Sequence, residues 1–232
     1  MENVYAERSA GWSVLCYVGV VLVAMLLASP LPSPSLRAVD TALLIDSHRF
    51  GLALSAWLAF PASAFFLWFL VGLRSYLRYA PGRQEGLPTF ALVAGVVMVA
   101  SSLFAAALLT AAVSVPVDAF SSGRFVSIYD AFVFTQSGLG YAPVAIFLFA
   151  AAHSMRRHQS APGWLALLGY VAAFGASIAT LSVFFSNSMM APGEQGPAFF
   201  GAVPTAIWLI ATGLVLVQSR RGSPPSSTSD AS

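Results

Sequence analysis

The chain is 232 residues long, 58% hydrophobic and only 9% charged, with a formal net charge of +2. A water-soluble domain carries about 25% charged residues, so this composition excludes a hydrated globular surface and requires apolar side chains to face lipid. The eleven basic residues are all arginine, which rules out a lysine-dependent phosphate loop or Schiff base, and their scatter offers no nucleic-acid-binding face.

The first apolar run covers 12–28, with Arg8 ahead of it and Trp12 at its start. Ala28 and Ser29 would suit a signal-peptide cleavage site, but Pro30 follows and the run is long, so it reads as a retained helix. Cys16, the single cysteine, precludes a disulfide within the chain, a cysteine-rich zinc site or a CxxC pair. Ser13, Val14 and Leu15 lack the small residue expected before a lipid-modified cysteine.

Residues 29–35 form a stiff proline-rich stretch. After it, Leu36, Val39, Leu43 and Ile45 share one face, while Arg37, Asp40, Thr41 and Ser47 fall elsewhere. That pattern predicts a short amphipathic helix on the outer membrane surface. Asp46 or Ser47 then reads as the cap of a second span, 51–73. Asp46 and His48, with Asp130 and Glu194 from other loops, could also supply oxygen and imidazole ligands to a divalent cation. Capping and interfacial solvation are the simpler reading, so no metal is assigned.

The third run covers 89–114, and Ser101 and Ser102 within it read as helix-packing residues. The fourth covers 129–152, where Ser127 and Asp130 match a capping box. Its polar interruption is Thr135-Gln136-Ser137, followed by Gly138, Gly140, Tyr141 and Pro143. Counted from Asp130, Gln136 lies about 9 Å deep at ~1.5 Å per residue. Pro143 has no N–H, so the Leu139 carbonyl loses its helical partner. The flanking glycines permit close approach of a backbone or ligand. Interhelical hydrogen bonding accounts for this stretch most simply; the functional alternative is a polar pocket opening outward. That pocket would comprise Thr135, Gln136, Ser137 and Tyr141, with Asp130, Asp46, His48 and Arg49 at its rim.

His153 and His158 flank Arg156 and Arg157 at the end of this helix. Neither faces a histidine at matched depth, so haem is not expected and no cofactor is assigned. The fifth run covers 164–186, with Gly169 and Ala173 as a small-xxx-small pair and Ser177 and Thr180 as packing residues. The sixth covers 200–218, and the Ser/Pro/Thr-rich tail 219–232 reads as disordered.

The fold expected is therefore an all-α, polytopic transmembrane bundle of six helices in one domain, 1–218. An approximate 80-residue recurrence suggests three helical hairpins. Each returning helix carries a proline, at Pro61, Pro143 and Pro204, and ends at Arg74, Arg156 and Arg220. Eight arginines fall on the side of the two termini and three on the other, which places both termini in the cytoplasm. No run has an ionisable residue near its centre, against a proton relay or ion pathway. HExxH, GxSxG and CxxC motifs are absent from the sequence.

The Gly11-Trp12 start, an outer loop with Asp and Arg, and the basic loop followed by Pro-Gly-Trp-Leu at 162–165 resemble a broad group of small six-helix bacterial membrane proteins, known only as domains of unknown function. The resemblance covers most of the chain. It implies a six-helix bundle in a bacterial inner membrane and supplies no activity or catalytic residue. Three function classes follow. The first is a non-enzymatic bundle binding a lipid-like molecule, a membrane-protein partner or a second copy of itself. The others are a permease or channel for a neutral or apolar solute, and an enzyme acting on lipid headgroups.

Overall fold

A chain in lipid must satisfy its backbone hydrogen bonds internally, and every regular element among the described residues does so as a helix. The computed structural model describes residues 2–29, 38–78, 86–114, 124–185 and 188–218. The proline-rich stretch 30–35, Leu36, Arg37 and the tail 219–232 lie outside the described residues.

The elements are α1 (Glu2–Ala28), α2 (Ala38–Ser47), α3 (Arg49–Arg78), α4 (Gly86–Ser114), α5 (Arg124–Phe134), α6 (Tyr141–His158), α7 (Gly163–Thr180), α8 (Gln195–Pro197) and α9 (Val203–Gln218). A π-helical turn, Thr135–Leu139, joins α5 to α6, and a second, Ala198–Ala202, joins α8 to α9. Six segments of 21 to 31 residues are long and apolar enough to cross a membrane: Arg8–Ala28, Arg49–Leu77, Gly86–Ser114, Ser127–Arg157, Gly163–Phe184 and Gln195–Gln218. The protein is thus a multi-pass membrane protein. Its outward faces carry exposed Trp57, Phe60, Trp68, Phe104, Phe149 and Phe174, an apolar surface that a monomer in water would rarely tolerate.

The six spans form a ring of sequential neighbours. The first packs on the second, the second on the third, and so on to the sixth, which returns to the first. Small residues set the closest approaches. A Cβ on Gly11 would stand 2.7 Å from the Gly213 carbonyl oxygen and 2.8 Å from Val217 Cγ2, so α1 and α9 meet backbone to backbone at the end carrying both termini. Gly169 lets Trp208 lie against α7, where its indole donates to the Leu165 carbonyl at 3.2 Å.

An aromatic chain crosses the centre of the ring. Tyr17 packs on Phe66 (centroids 4.8 Å apart), Phe66 on Phe147 (5.7 Å) and Phe147 on Trp208 (5.8 Å). The last two pairs are edge-to-face, an arrangement that adds about 0.5–1.5 kcal/mol beyond area burial. They belong to a large cluster that fills the half of the bundle nearer the termini. A second cluster, from Ala28, Ile45, Leu52, Ala56, Leu109, Tyr129, Phe132 and their neighbours, fills the far end between α2, α3, α4 and α5.

Several local expectations are corrected. The helix predicted before the second span exists as α2, but it is turned differently. Thr41 and Ile45 are buried, whereas Leu43, expected on the apolar face, is 64% exposed. Ser47 does not cap α3. Its hydroxyl turns back to the Leu44 carbonyl at 2.9 Å, and the His48 carbonyl accepts from Leu52 N–H as α2 runs almost directly into α3. Ser127 is not an N-cap either, because α5 begins three residues earlier, at Arg124. The recurring prolines differ as well: Pro61 sits inside an unbroken α-helix, while Pro143 and Pro204 each follow a π turn.

The end carrying the termini is closed by specific bonds. Tyr76, almost fully buried, donates its hydroxyl proton to the Ser160 carbonyl across the bundle. His153 Nδ1 lies 3.0 Å from the Tyr170 hydroxyl and stacks on Phe149. Trp12 and Trp164 are exposed here, as interfacial belt residues would be.

Candidate functional site

The two apolar clusters do not merge, and cavities lie between them. The larger, about 300 Å³, is bounded by the first, third, fourth and sixth spans. A second, about 230 Å³, lies between the first, second, third and fourth. Tyr17, Val21, Met25, Met98, Ser102, Phe132 and Gln136 line both, so they are two chambers of one space behind α1. The packing of α1 explains the gap. It seats tightly on α3 and α9 but not on the third or fourth span, and Leu22, Met25 and Leu26 in its far half are exposed. The larger chamber alone reaches the lower range of small-molecule pockets, roughly 300–1,000 Å³.

The lining is mostly apolar, with a polar strip from the fourth span. Thr135, Gln136, Ser137 and Tyr141 all line the larger chamber. Their presentation follows from the π turn, which inserts one extra residue per turn and rotates the side chains that follow. Gly140 makes the turn possible, because a Cβ there would collide with the Thr135 carbonyl oxygen. Within the strip, Thr135 donates to the Ala131 carbonyl and Ser137 to the Val133 carbonyl, each at 2.7 Å. The Gln136 amide hydrogen-bonds no described residue. It projects where the two chambers meet.

The second π turn meets the chain just beyond the first. A Cβ on Gly201 would strike the Tyr141 ring, so Tyr141 packs directly on the Ala198–Ala202 turn. Pro204 cannot donate to the Phe200 carbonyl four residues earlier, and that carbonyl is directed at Gly175 of α7, where a Cβ would collide with it. The first turn is tied similarly. Buried Ser182, in the 3-10 turn Leu181–Phe184, donates to the Ser137 carbonyl at 3.1 Å. Ser182→Ala is expected to cost about 0.6 kcal/mol, and at most ~1.7. Hydrogen exchange over residues 137–142 should rise in that variant while α3 is unaffected.

The structure brings together half of the sequence-derived site. Thr135, Gln136, Ser137 and Tyr141 line the same cavity, Tyr141 half-buried and Gln136 exposed. Asp130, Asp46, His48 and Arg49 do not line it. His48 Nδ1 is 2.9 Å from the Ser47 hydroxyl and 3.1 Å from the Leu44 carbonyl, a local arrangement at the α2–α3 junction, where Asp46 and Arg49 are exposed. Among the described residues no three His, Cys, Asp or Glu side chains gather as metal ligands would.

Ser101 and Ser102, expected only to pack helices, line the larger chamber, as do Tyr17, Met25, Met98, Thr205 and Glu194. The serine doublet in the middle of an apolar run was a usable signal. The other residues carried none, since nothing local distinguishes a cavity-lining Met or Tyr from a packed one. No protein-family model, curated protein or solved structure matches the chain.

Proposed function

We propose that the protein is a non-enzymatic bacterial inner-membrane bundle that binds a lipid-like small molecule in the two-chambered cavity behind α1. The observation that carries this reading is Gln136. A neutral amide that hydrogen-bonds no described residue lines both of two chambers whose walls are otherwise mostly apolar, and it is exposed where they open. Such a combination, an apolar pocket with a few convergent polar groups, suits a ligand that is largely hydrocarbon. The paired Asp/His chemistry an enzyme would need lies outside the cavity. The arginine distribution supports cytoplasmic termini, which puts the cavity in the outer half of the membrane. Membrane lipids are the natural source of the ligand.

Native mass spectrometry of the protein purified in mild detergent tests the reading. The expected result is a co-purifying molecule of lipid-like mass at near one-to-one stoichiometry. Gln136→Leu should weaken its retention roughly two- to twelvefold, the worth of one hydrogen bond of about 0.5–1.5 kcal/mol. Thermal stability should be unchanged, because Gln136 bonds no described residue. A bare wild-type protein would contradict the proposal.

A second reading, a permease for a neutral solute, draws on the two π turns that both contribute residues to the cavity wall, since such turns often sit at functional sites. Flux of a neutral solute through proteoliposomes, abolished in Gly140→Val, would favour it.

A further inference from the structure

α1 is anchored at two points, on two different neighbours. Near the termini, Gly11 and Gly213 let it meet α9 backbone to backbone. At its other end a Cβ on Gly51 would collide with the Leu27 carbonyl oxygen, so α1 rests there on α3. An unbroken helix that touches the sixth span at its start and the second span at its end diverges from the sixth along its length. Both walls of the resulting wedge belong to the larger chamber: Val21, Leu22 and Met25 on α1, and Ala202 and Ala206 on the sixth span. The two spans run antiparallel, so counting from the Gly11–Gly213 contact places Leu22 about level with Ala202 and Val18 about level with Ala206. Leu22 and Met25 are exposed, and the alanines across the wedge are half-buried and too short to cover them.

The wedge opens at a definite depth. Leu22, Gln136 and Ala202 lie six to nine residues inside the far ends of their spans, Ala28, Ser127 and Gln195, about 9–14 Å at ~1.5 Å per residue. That level lies within a hydrocarbon core about 30 Å thick. Gln136, exposed and lining both chambers, sits at the same level as the wedge. Toward the far face the space is covered by packing instead. Tyr129 lines the larger chamber and is almost fully buried in the far cluster with Ile45, Leu52 and Phe132. A polar group this deep in lipid is costly without a hydrogen-bond partner, and a molecule arriving from the side brings one to Gln136.

We infer, on the premise of the binding reading above, that the ligand is a membrane-dissolved molecule that enters and leaves sideways, through the wedge between the first and sixth spans in the half of the membrane away from the termini. Leu22 and Ala206 form its two sides. The ligand class is a hydrocarbon body carrying a hydrogen-bonding group, delivered from the lipid layer rather than from water.

The test follows rates in the full chain in nanodiscs, with 1-O-hexadecylglycerol as the probe. The variant combines Cys16→Ser with Leu22→Cys, since Cys16 is exposed and would itself react. The introduced thiol is blocked with benzyl methanethiosulfonate either before loading or after it, and uptake and release are timed by native mass spectrometry. Blocking before loading should slow uptake about tenfold or more, and blocking after loading should slow release by a similar factor, because one barrier is raised in both directions. A block that merely spoiled the site would speed release. Faster release, or both rates unchanged, would overturn the lateral route and leave the binding reading standing. Val23→Cys in the same background, exposed on α1 but on neither chamber wall, should change neither rate when blocked; slowing equal to that at Leu22→Cys would also overturn the route. Ala206→Trp narrows the wedge from the opposite wall and should slow both rates, which keeps the test decisive should the thiol variant misfold. An unmodified protein that retains no probe would overturn the binding reading, and the route with it.

Discussion

Trp208→Ala should be the most damaging single truncation in the bundle, lowering stability by about 2–3 kcal/mol. Trp208 is fully buried, closes the aromatic chain through Phe147 and donates to the Leu165 carbonyl. In a water-soluble core the same change costs about 3–5 kcal/mol, part of it the transfer of apolar surface from water. Lipid supplies no such driving force between helices, so what is lost here is packing and one hydrogen bond. The void would open between α6, α7 and α9, because Gly169 already brings α7 as close to the indole as the backbones allow. Trp208→Phe keeps the ring contact with Phe147 but not the donor, and should cost only about 1 kcal/mol. Thermal unfolding in one detergent, followed by the loss of the monodisperse peak on size exclusion, ranks the two. A Phe variant as unstable as the Ala variant would mean that the hydrogen bond, not the packing, holds this seam.

The second large effect is one of sign. α1 carries two glycines that look alike in the sequence, Gly11 and Gly19, but they sit in opposite surroundings. A Cβ at Gly11 would meet backbone atoms of α9, the Gly213 oxygen at 2.7 Å and the Val217 nitrogen at 3.0 Å, whereas one at Gly19 meets nothing within 4 Å. Gly11→Leu therefore has to push two helices apart, an overpacking penalty of about 1–3 kcal/mol or more. Gly19→Ala removes a poor helix former from open space and should stabilise by about 0.5–1 kcal/mol. At roughly 2–4 °C per kcal/mol for a protein of this size, the two midpoints should separate by several degrees in opposite directions from wild type. If both variants fall by the same amount, α1 does not seat on α9 through Gly11.

The helices were legible in the sequence because their signal is bulk apolarity. The predicted runs 51–73 and 129–152 stop short of the observed spans Arg49–Leu77 and Ser127–Arg157. Apolarity ends at the first polar side chain, Arg74 or His153, but a helix continues through interfacial residues such as arginine, whose stem stays in the apolar layer while its head reaches the headgroups. The polar strip at 135–137 was legible for a similar reason, being the longest polar break in an apolar run. The π turn that presents it was not. Pro143 explains why a carbonyl is released, yet Pro61 releases one in principle too and sits in an unbroken helix. The difference must come from tertiary partners such as Ser182, which binds the Ser137 carbonyl from 45 positions away. The same limit applies to the cavity as a whole. It exists because α1 leans on the second and sixth spans and away from the third and fourth, a property of ring closure that no local pattern encodes. Asp46, His48, Arg49 and Asp130 do not line the cavity, and the sequence could not separate them from it, because a charge beside an apolar run looks the same for a ligand group and for a solvated helix end.

Photolabelling with a hexadecyl glycerol ether bearing a diazirine near the end of its chain would locate a bound amphiphile most directly. The protein is labelled in nanodiscs, digested, and the modified residues are mapped by mass spectrometry. An amphiphile held behind α1 should modify second-chamber residues such as Ala62, Val99 and Leu109, and excess unlabelled ether should compete that labelling away. Labelling confined to the outward faces, at residues such as Trp57, Phe104 and Phe174, and insensitive to competition, would mean that the chain meets the protein only as bulk lipid and that the cavity holds no ligand of this kind.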